Sequence, residues 1–222
     1  MAGMVFATKS SLFVVRDIQV EIQVEGEQFI DKNDISELLG PIQGENLFLL
    51  DTKALEHKVL LHPLVEKAGF ERRFPGTLVV KVVERHPLAL ILMEDQLIEV
   101  DSSSTILRIF EKWPEVTCPL LTGIQPQDIA GPGQRIADES VLRALKCVEA
   151  IPESLKGRID EIHVEAAGPL TLYLDTRVEV RMGTHDENDA GNLLLLAELI
   201  KNDEYAQVGY INLTSGKPAL GF

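Results

Sequence analysis

From residue 13 to 25 the chain alternates, with Val14, Arg16, Ile18, Val20, Ile22 and Val24 on even positions. Asp17, Gln19, Glu21, Gln23 and Glu25 fall between them. A period of two over this length predicts a strand with one buried face, which Gly26 ends. Asp31 or Asn33 can cap a short helix over Asp34–Leu39, stopped by Gly40-Pro41. Asp51 is placed to cap a second helix, Thr52–Leu61, closed by His62-Pro63. Val65–Phe74 and Thr77–Arg85 read as two further strands around a Pro75-Gly76 turn, with Leu78, Val80, Val82 and Glu84 on one face. The order is β-α-α-β-β. Three strands alone leave one sheet face bare, and two short helices can cover it.

From Pro87 the texture changes. Leu88–Met93 and Gln96–Val100 form a predicted hairpin around Glu94-Asp95, and Thr105–Phe110 follows the turn Ser102-Ser103-Ser104. Trp113–Gly133 is rich in Pro and Gly and predicts an irregular connection. Ala137–Ala150 is helical in pattern, with Val141, Leu142, Leu145 and Val148 on one face and Asp138 as its cap. Strands are expected at Ile159–Glu165, Leu170–Leu174 and Val178–Met182, then a helix at Asp186–Ile200 that buries Leu193, Leu196, Ala197 and Ile200. Tyr205–Leu213 reads as a strand, Thr214–Pro218 as a turn or bulge, and Ala219–Phe222 as an extended stub. The fold class is α+β. A module over 13–86 precedes a mostly antiparallel β domain with two helices over 87–222.

A chain of 222 residues with 45% hydrophobic and 25% charged residues is long enough for two small domains and has an ordinary globular balance. Aromatics are only 5%, which disfavours a stacking platform for single-stranded nucleic acid. Residues 1–86 hold 10 basic and 13 acidic groups, and residues 87–222 hold 11 and 22. Neither part carries the positive field that phosphate binding needs. Nucleic acid is therefore not an expected partner. No run of ~18 apolar residues is present to span a bilayer, and Met1–Ala7 is too short for a signal core.

Catalytic chemistry finds little to stand on. Gly131-Pro132-Gly133 lacks the lysine and the strand-to-helix setting of a phosphate cradle, and its proline removes an N–H donor. His57, His62, His86, His163 and His185 pair with no Cys or carboxylate at metal-ligand spacing. The carboxylate pairs Glu94/Asp95 and Asp160/Glu161 sit at a turn and a strand start, and Ser102–Ser104 has no nucleophile-elbow motif. No cofactor is expected and no enzyme is read here. Cys118 and Cys147 read as two buried thiols, with pairing in an oxidising compartment as the alternative. More informative is the terminal segment Tyr210–Phe222: either the last strand of a closed sheet or an edge open to a partner.

The stretches Val14–Val20, Ile35–Leu39, Gly44–Asp51, Leu61–Ala68 and Arg72–Ala89 resemble the FtsQ-type POTRA domain, most specifically in Gly44-Glu45-Asn46-Leu47-Phe48 and Phe74-Pro75-Gly76-Thr77-Leu78. Pro119–Gly123, Val178–Gly183 and Tyr210–Leu213 are similar to segments of the β domain of the cell-division family FtsQ/DivIB. The resemblance covers about residues 13–222. It implies the extracytoplasmic part of a single-pass inner-membrane protein at the division septum, with its anchor ahead of residue 1. It further implies a non-enzymatic scaffold that binds small FtsB/DivIC-like and FtsL-like proteins and other divisome proteins. The runner-up is a POTRA-containing outer-membrane assembly or secretion factor, which usually carries tandem POTRA copies and a membrane barrel.

In the family the partner lies as a strand beside the last strand of the β domain. The matching positions are Tyr210, Thr214, Ser215, Gly216, Lys217, Ala219, Leu220, Gly221 and Phe222. Phe222 would be an apolar anchor, Lys217 a charge complement to an acidic partner, and Pro218 a limit on self-pairing. Asn212 and Thr214 stand where the family commonly has Asp and Arg, which takes away a charged contact but leaves backbone pairing possible. The expectation is that Tyr210–Leu213 is the last strand, with nothing covering its outer edge. A second expected surface, for recruitment through the POTRA part, includes Arg72 and Lys81.

Overall fold

The computed structural model describes residues 11–114, 118–126, 129–165, 168–183, 188–201 and 208–221. The chain divides into two compact units, Met1–His86 and Pro87–Phe222.

In the first unit β1 (Asp17–Gln23), α1 (Lys32–Leu39), α2 (Thr52–Val59), β2 (Val65–Arg73) and β3 (Thr77–Glu84) follow in that order. β3 is central, parallel to β1 and antiparallel to β2. The register aligns Val20, Val80 and Phe70 on one face, and Ile35 and Leu39 of α1 and Leu55 and Val59 of α2 are buried. Of the two candidate caps, Asp31 takes the role. It accepts from the Asn33 and Asp34 amides while Asp34 accepts from the Asp31 amide, a reciprocal box that satisfies three amides at the helix start. Glu84 stands among apolar residues on the inner face because its carboxylate accepts from the Phe29 and Ile30 amides, at 2.7 and 3.2 Å.

The first strand begins later than its alternation suggests. Val15 rather than Val14 is buried, because residues 13–15 pair with the 44–47 loop: the Val15 amide donates to Glu45 and the Gly44 amide to Val15, both at 2.8 Å. Backbone pairing with a distant loop overrides the local period there.

The second unit is one nine-stranded sheet. Its strands are β4 (Ala89–Met93), β5 (Gln96–Val100), β6 (Ile106–Phe110), β7 (Leu120–Thr122), β8 (Ile159–Val164), β9 (Leu170–Leu174), β10 (Glu179–Gly183), β11 (Tyr210–Asn212) and β12 (Ala219–Gly221). Two helices accompany them, α3 (Glu139–Glu149) and α4 (Asp189–Lys201). The spatial order is β12-β11-β10-β9-β8-β7-β4-β5-β6. Five of the pairings are antiparallel, and β4–β7, β7–β8 and β10–β11 are parallel. One face joins Ile91, Leu121, Ile162, Leu172, Val180 and Ile211 to Val141, Leu145, Leu193 and Leu196 of the helices in a single core.

β7 corrects the expectation of an irregular connection over 113–133. Three residues between Pro119 and Gly123 are too few to show a period, yet they join the two halves of the sheet. Gly123, at φ +75°, is needed here: a Cβ would overlap the Val164 carbonyl and press on the His163 ring. Thr122 Oγ1 donates to Glu161 and lies 2.8 Å from His163 Nδ1, tying β7 to β8 through side chains as well. α4 starts at Asp189, and of the expected strand over 205–213 the residues 205–207 lie outside the described residues.

Cys118 and Cys147 are both free thiols. Burial pushes Cys147 up to about 12 and Cys118 up to about 11, with nearby carboxylates adding to each. The thiolate is the reactive form, so both are expected to resist alkylation at neutral pH. Timed labelling with iodoacetamide checks this; rapid loss of Cys147 from the folded chain would contradict it.

Candidate functional site: the C-terminal sheet edge

The expected last strand is not last. β11 is parallel to β10 on one side and is covered on the other by β12, in the register Tyr210↔Gly221, Ile211↔Leu220 and Asn212↔Ala219. Residues 219–221 of the stub predicted at 219–222 thus fold back as a hairpin strand and cover the edge that was expected to be open. Two local features make the hairpin. Asn212 Oδ1 accepts from the Thr214 amide at 3.0 Å and from its hydroxyl at 2.7 Å. Gly216, at φ +71°, donates to the Leu213 carbonyl at 3.0 Å. Asn212 and Thr214, which stand where the resemblance leads one to expect Asp and Arg, therefore bond to each other.

β12 is seated by a stack running across three strands. The Arg181 guanidinium of β10, bonded to Glu179 at 2.6 Å, lies 4.6 Å from the centre of the Tyr210 ring. That ring in turn lies over Gly221, where a Cβ would overlap it. A bulky aromatic opposite a strand glycine covers the backbone that the glycine leaves bare.

The orientation of β12's backbone follows from the hydrogen bonds around it. Gly221 O accepts from the Gly209 amide at 2.7 Å, so Gly221 faces β11. The N–H and C=O of one strand residue point the same way and alternate along the strand, so Leu220 presents both groups outward. Pro218, the next outward position, has no N–H. Leu220 lies opposite buried Ile211, which puts its half-exposed side chain on the helix-bearing face. The open edge is thus short: one outward donor–acceptor pair beside an apolar side chain.

At the other end of the sheet the start of the outer strand is covered. The Ile106 amide of β6 donates to Gln134, the Gly133 amide donates back to Ile106, both at 2.8 Å, and the Ile136 amide donates to Ser104 at 2.9 Å. Segment 133–136 therefore occupies the start of that edge. A cavity of about 430 Å³, lined by Leu170, Met182, Arg181 and Thr214 among others, opens near the base of the 214–218 turn. Among the described residues no group of three His, Cys, Asp or Glu side chains could hold a metal.

The expected residues divide as follows. Tyr210 is on β11, Thr214, Ser215, Gly216 and Lys217 form the turn, and Ala219, Leu220 and Gly221 are β12; Phe222 lies outside the described residues. Arg72 and Lys81 do not share a surface. Arg72 is opposite Leu78 on the helix-bearing face, and it donates to the Leu47 and Leu50 carbonyls at 2.7 Å each. Lys81 is on the other face, 2.7 Å from Glu71. The Glu71 carboxylate is pulled down to about 2 by hydrogen bonds from Arg73 and Lys81. Strand parity separates the two, and Arg72 is a clamp on the 47–50 turn.

The pattern also hid Arg143. From α3 its guanidinium donates to the carbonyls of Gly168 and, at 3.1 Å, Gly183, and stands 3.6 Å from Asp189 of α4. It draws the β8–β9 and β10–α4 connections onto one helix. Its helical position was legible; its partners lie 25 and 40 residues away.

Residues 19–85 match the model of the FtsQ-type POTRA domain, and residues 89–214 match that of the C-terminal part of cell division protein FtsQ/DivIB. The cell division protein FtsQ of Syntrophotalea carbinolica is 29% identical over 188 residues, which are 82% of this chain and 66% of that protein. The FtsQ of Anaeromyxobacter sp. (strain K) is 29% identical over 211 residues, 92% of this chain and 69% of that protein. The chain thus spans slightly less than two thirds of the Syntrophotalea protein's length. A solved structure of the major extracytoplasmic domain of DivIB from Geobacillus stearothermophilus aligns over 54% of this chain and 97% of its own, at 16% identity and a TM-score of 0.38. The second of the two family matches alone covers more than half of the residues, and on that ground the chain belongs to the FtsQ/DivIB family of cell-division proteins.

Proposed function

We propose that this chain is the extracytoplasmic part of a non-enzymatic divisome scaffold, and that β12 accepts a strand from a small bitopic partner of the FtsB/DivIC type. An FtsL-like protein belongs to the same assembly. Residues 13–86 form its POTRA domain and 87–222 its partner-binding domain, working at the septum on the periplasmic side of the inner membrane. The observation that carries the reading is the outward N–H and C=O of Leu220 on an edge that no described residue covers. Backbone pairing supplies affinity in such a joint, and it tolerates the side-chain changes at Asn212 and Thr214. The outer-membrane assembly reading is not favoured, since residues 89–214 match the FtsQ/DivIB C-terminal part.

Amide hydrogen exchange tests it directly. Adding a peptide from the extracytoplasmic end of a candidate partner is expected to slow exchange at Leu220, whose amide faces outward in the free chain. Protection that appears only elsewhere, or none at saturating peptide, would remove β12 as the site.

A further inference from the structure

The first unit ends its small sheet on two outer strands, β1 and β2, with β3 between them. An uncovered edge offers N–H and C=O groups to any passing strand, and folded proteins blunt it with Lys, Pro or a bulge. β2 carries two such devices, Lys67 and a register shift between Val65 and Lys67. β1 carries none of them over Asp17–Gln23 and pairs with β3 without a shift. Its two charges, Asp17 and Glu21, are the guard that remains, and they guard against some registers only.

Asp17 stands opposite Thr77, and its amide donates at 3.2 Å to the Gly76 carbonyl, which the Arg16 amide shares. Asp17 therefore faces β3, and by strand alternation Ile18, Val20 and Ile22 turn their N–H and C=O groups outward. Among the described residues no loop or helix backbone bonds to these three, whereas Val15 just upstream is paired with the 44–47 loop. Val20 is buried on the helix-bearing face, with Ile18 and Ile22 half-buried beside it. Asp17, Gln19, Glu21 and Gln23 are exposed on the other face.

The side chains identify the occupant. Laid antiparallel on a second copy and centred on Val20, the strand brings Ile18 against Ile22 and each acid against an amide: Asp17 meets Gln23, and Glu21 meets Gln19. A centre at Gln19 would set Asp17 against Glu21, and a centre at Glu21 would set Glu21 against itself. Like charges directly opposite are unfavourable, and centres further out shorten the overlap. Within each copy Lys81 lies opposite Glu21, and the Arg73 guanidinium is 3.6 Å from it, which offsets its charge. Exposed Gln19, which donates to Asp17 at 2.8 Å in the single chain, can turn to Glu21 across the joint.

We propose that β1 is a self-pairing edge: two copies of this chain join β1 to β1, antiparallel about Val20, in one continuous sheet across a two-fold axis. A joint of one strand pair is small, so the dimer forms in a concentration-dependent way. The edge belongs to a different unit from β12, and its failure would leave the strand-addition reading untouched.

Sedimentation velocity of the 222-residue chain over a wide range of concentration reads the dimer, and disulfide trapping reads its register. Chains with Gln19→Cys and chains with Glu21→Cys are expected to cross-link when mixed and oxidised. Either alone is expected to cross-link far less, because position 19 lies opposite 21 and not opposite itself. Peptide mapping assigns the bond and distinguishes it from any at Cys118 or Cys147. Gln19→Glu sets carboxylates against each other at both ends of the joint and is expected to weaken the dimer about fivefold. Raised salt is expected to restore part of that loss. Both positions are exposed, and circular dichroism establishes that each variant remains folded. A chain that stays monomeric at its highest soluble concentration would overturn the proposal, and slow exchange of the Val20 amide in that monomer would assign the edge to a cover within the chain. A dimer without the 19–21 bond would overturn it as well, placing the contact elsewhere, at β12 for instance. So would a folded Gln19→Glu chain that dimerises as the parent does.

Discussion

Replacing Leu220 with proline is expected to abolish capture of an FtsB/DivIC-like partner while leaving thermal melting nearly unchanged. The asymmetry comes from where the lost N–H points. Gly221 bonds toward β11, as its acceptance from the Gly209 amide requires, so by strand alternation the Leu220 amide faces outward, away from β11. Proline there removes a donor that only an added strand would use, and edge positions are where a sheet tolerates it. Gly221→Pro is the contrasting variant: it removes an inward donor, crowds the Tyr210 ring and should loosen β12 itself. Isothermal titration with a partner peptide, alongside melting curves, separates the two. Full binding by Leu220→Pro would exclude backbone pairing at this edge.

The largest loss of stability is expected from Arg108→Leu. Glu99 on β5 has a side chain with no solvent exposure, directly opposite Arg108 on β6. Arg108 donates to both carboxylate oxygens, at 2.6 and 2.8 Å, and lies 5.3 Å from the Phe110 ring. Removing the guanidinium leaves an ionised carboxylate buried without that partner, a change that costs about 3–5 kcal/mol. For a chain of this size that corresponds to a drop in melting temperature of roughly 10 °C. Glu99→Leu combined with Arg108→Leu should regain most of the loss, because two apolar side chains replace the pair without stranding a charge. A double variant as unstable as the single would mean that the ion pair is not the cause.

The sequence carried the elements whose information is local. Alternation in 77–84 and the spacing of Val141, Leu145 and Val148 name a buried face whatever lies against it, because a side chain's direction follows from strand or helix geometry. Asp31, Asp51 and Asp138 are legible as caps for the same reason: each bonds amides two and three residues ahead. The terminal residues 210–221 were legible as the region of interest through their resemblance to a family.

Tertiary structure decided what depends on partners distant in the chain. β7 exists because β4 and β8 offer it two complete backbone edges; its three residues carry no readable period. Whether 219–221 would fray or pair was settled by Tyr210 and Arg181, which seat β12 and so move the open edge from β11 to Leu220. Strand parity divided Arg72 from Lys81, although both are basic residues of one small sheet. The pairing of 133–136 with Ser104 and Ile106 at the opposite edge was equally out of reach, since its hydrogen bonds join segments about thirty residues apart. Local sequence sets the direction of side chains, and only the assembled sheet sets which backbone groups are left without a neighbour.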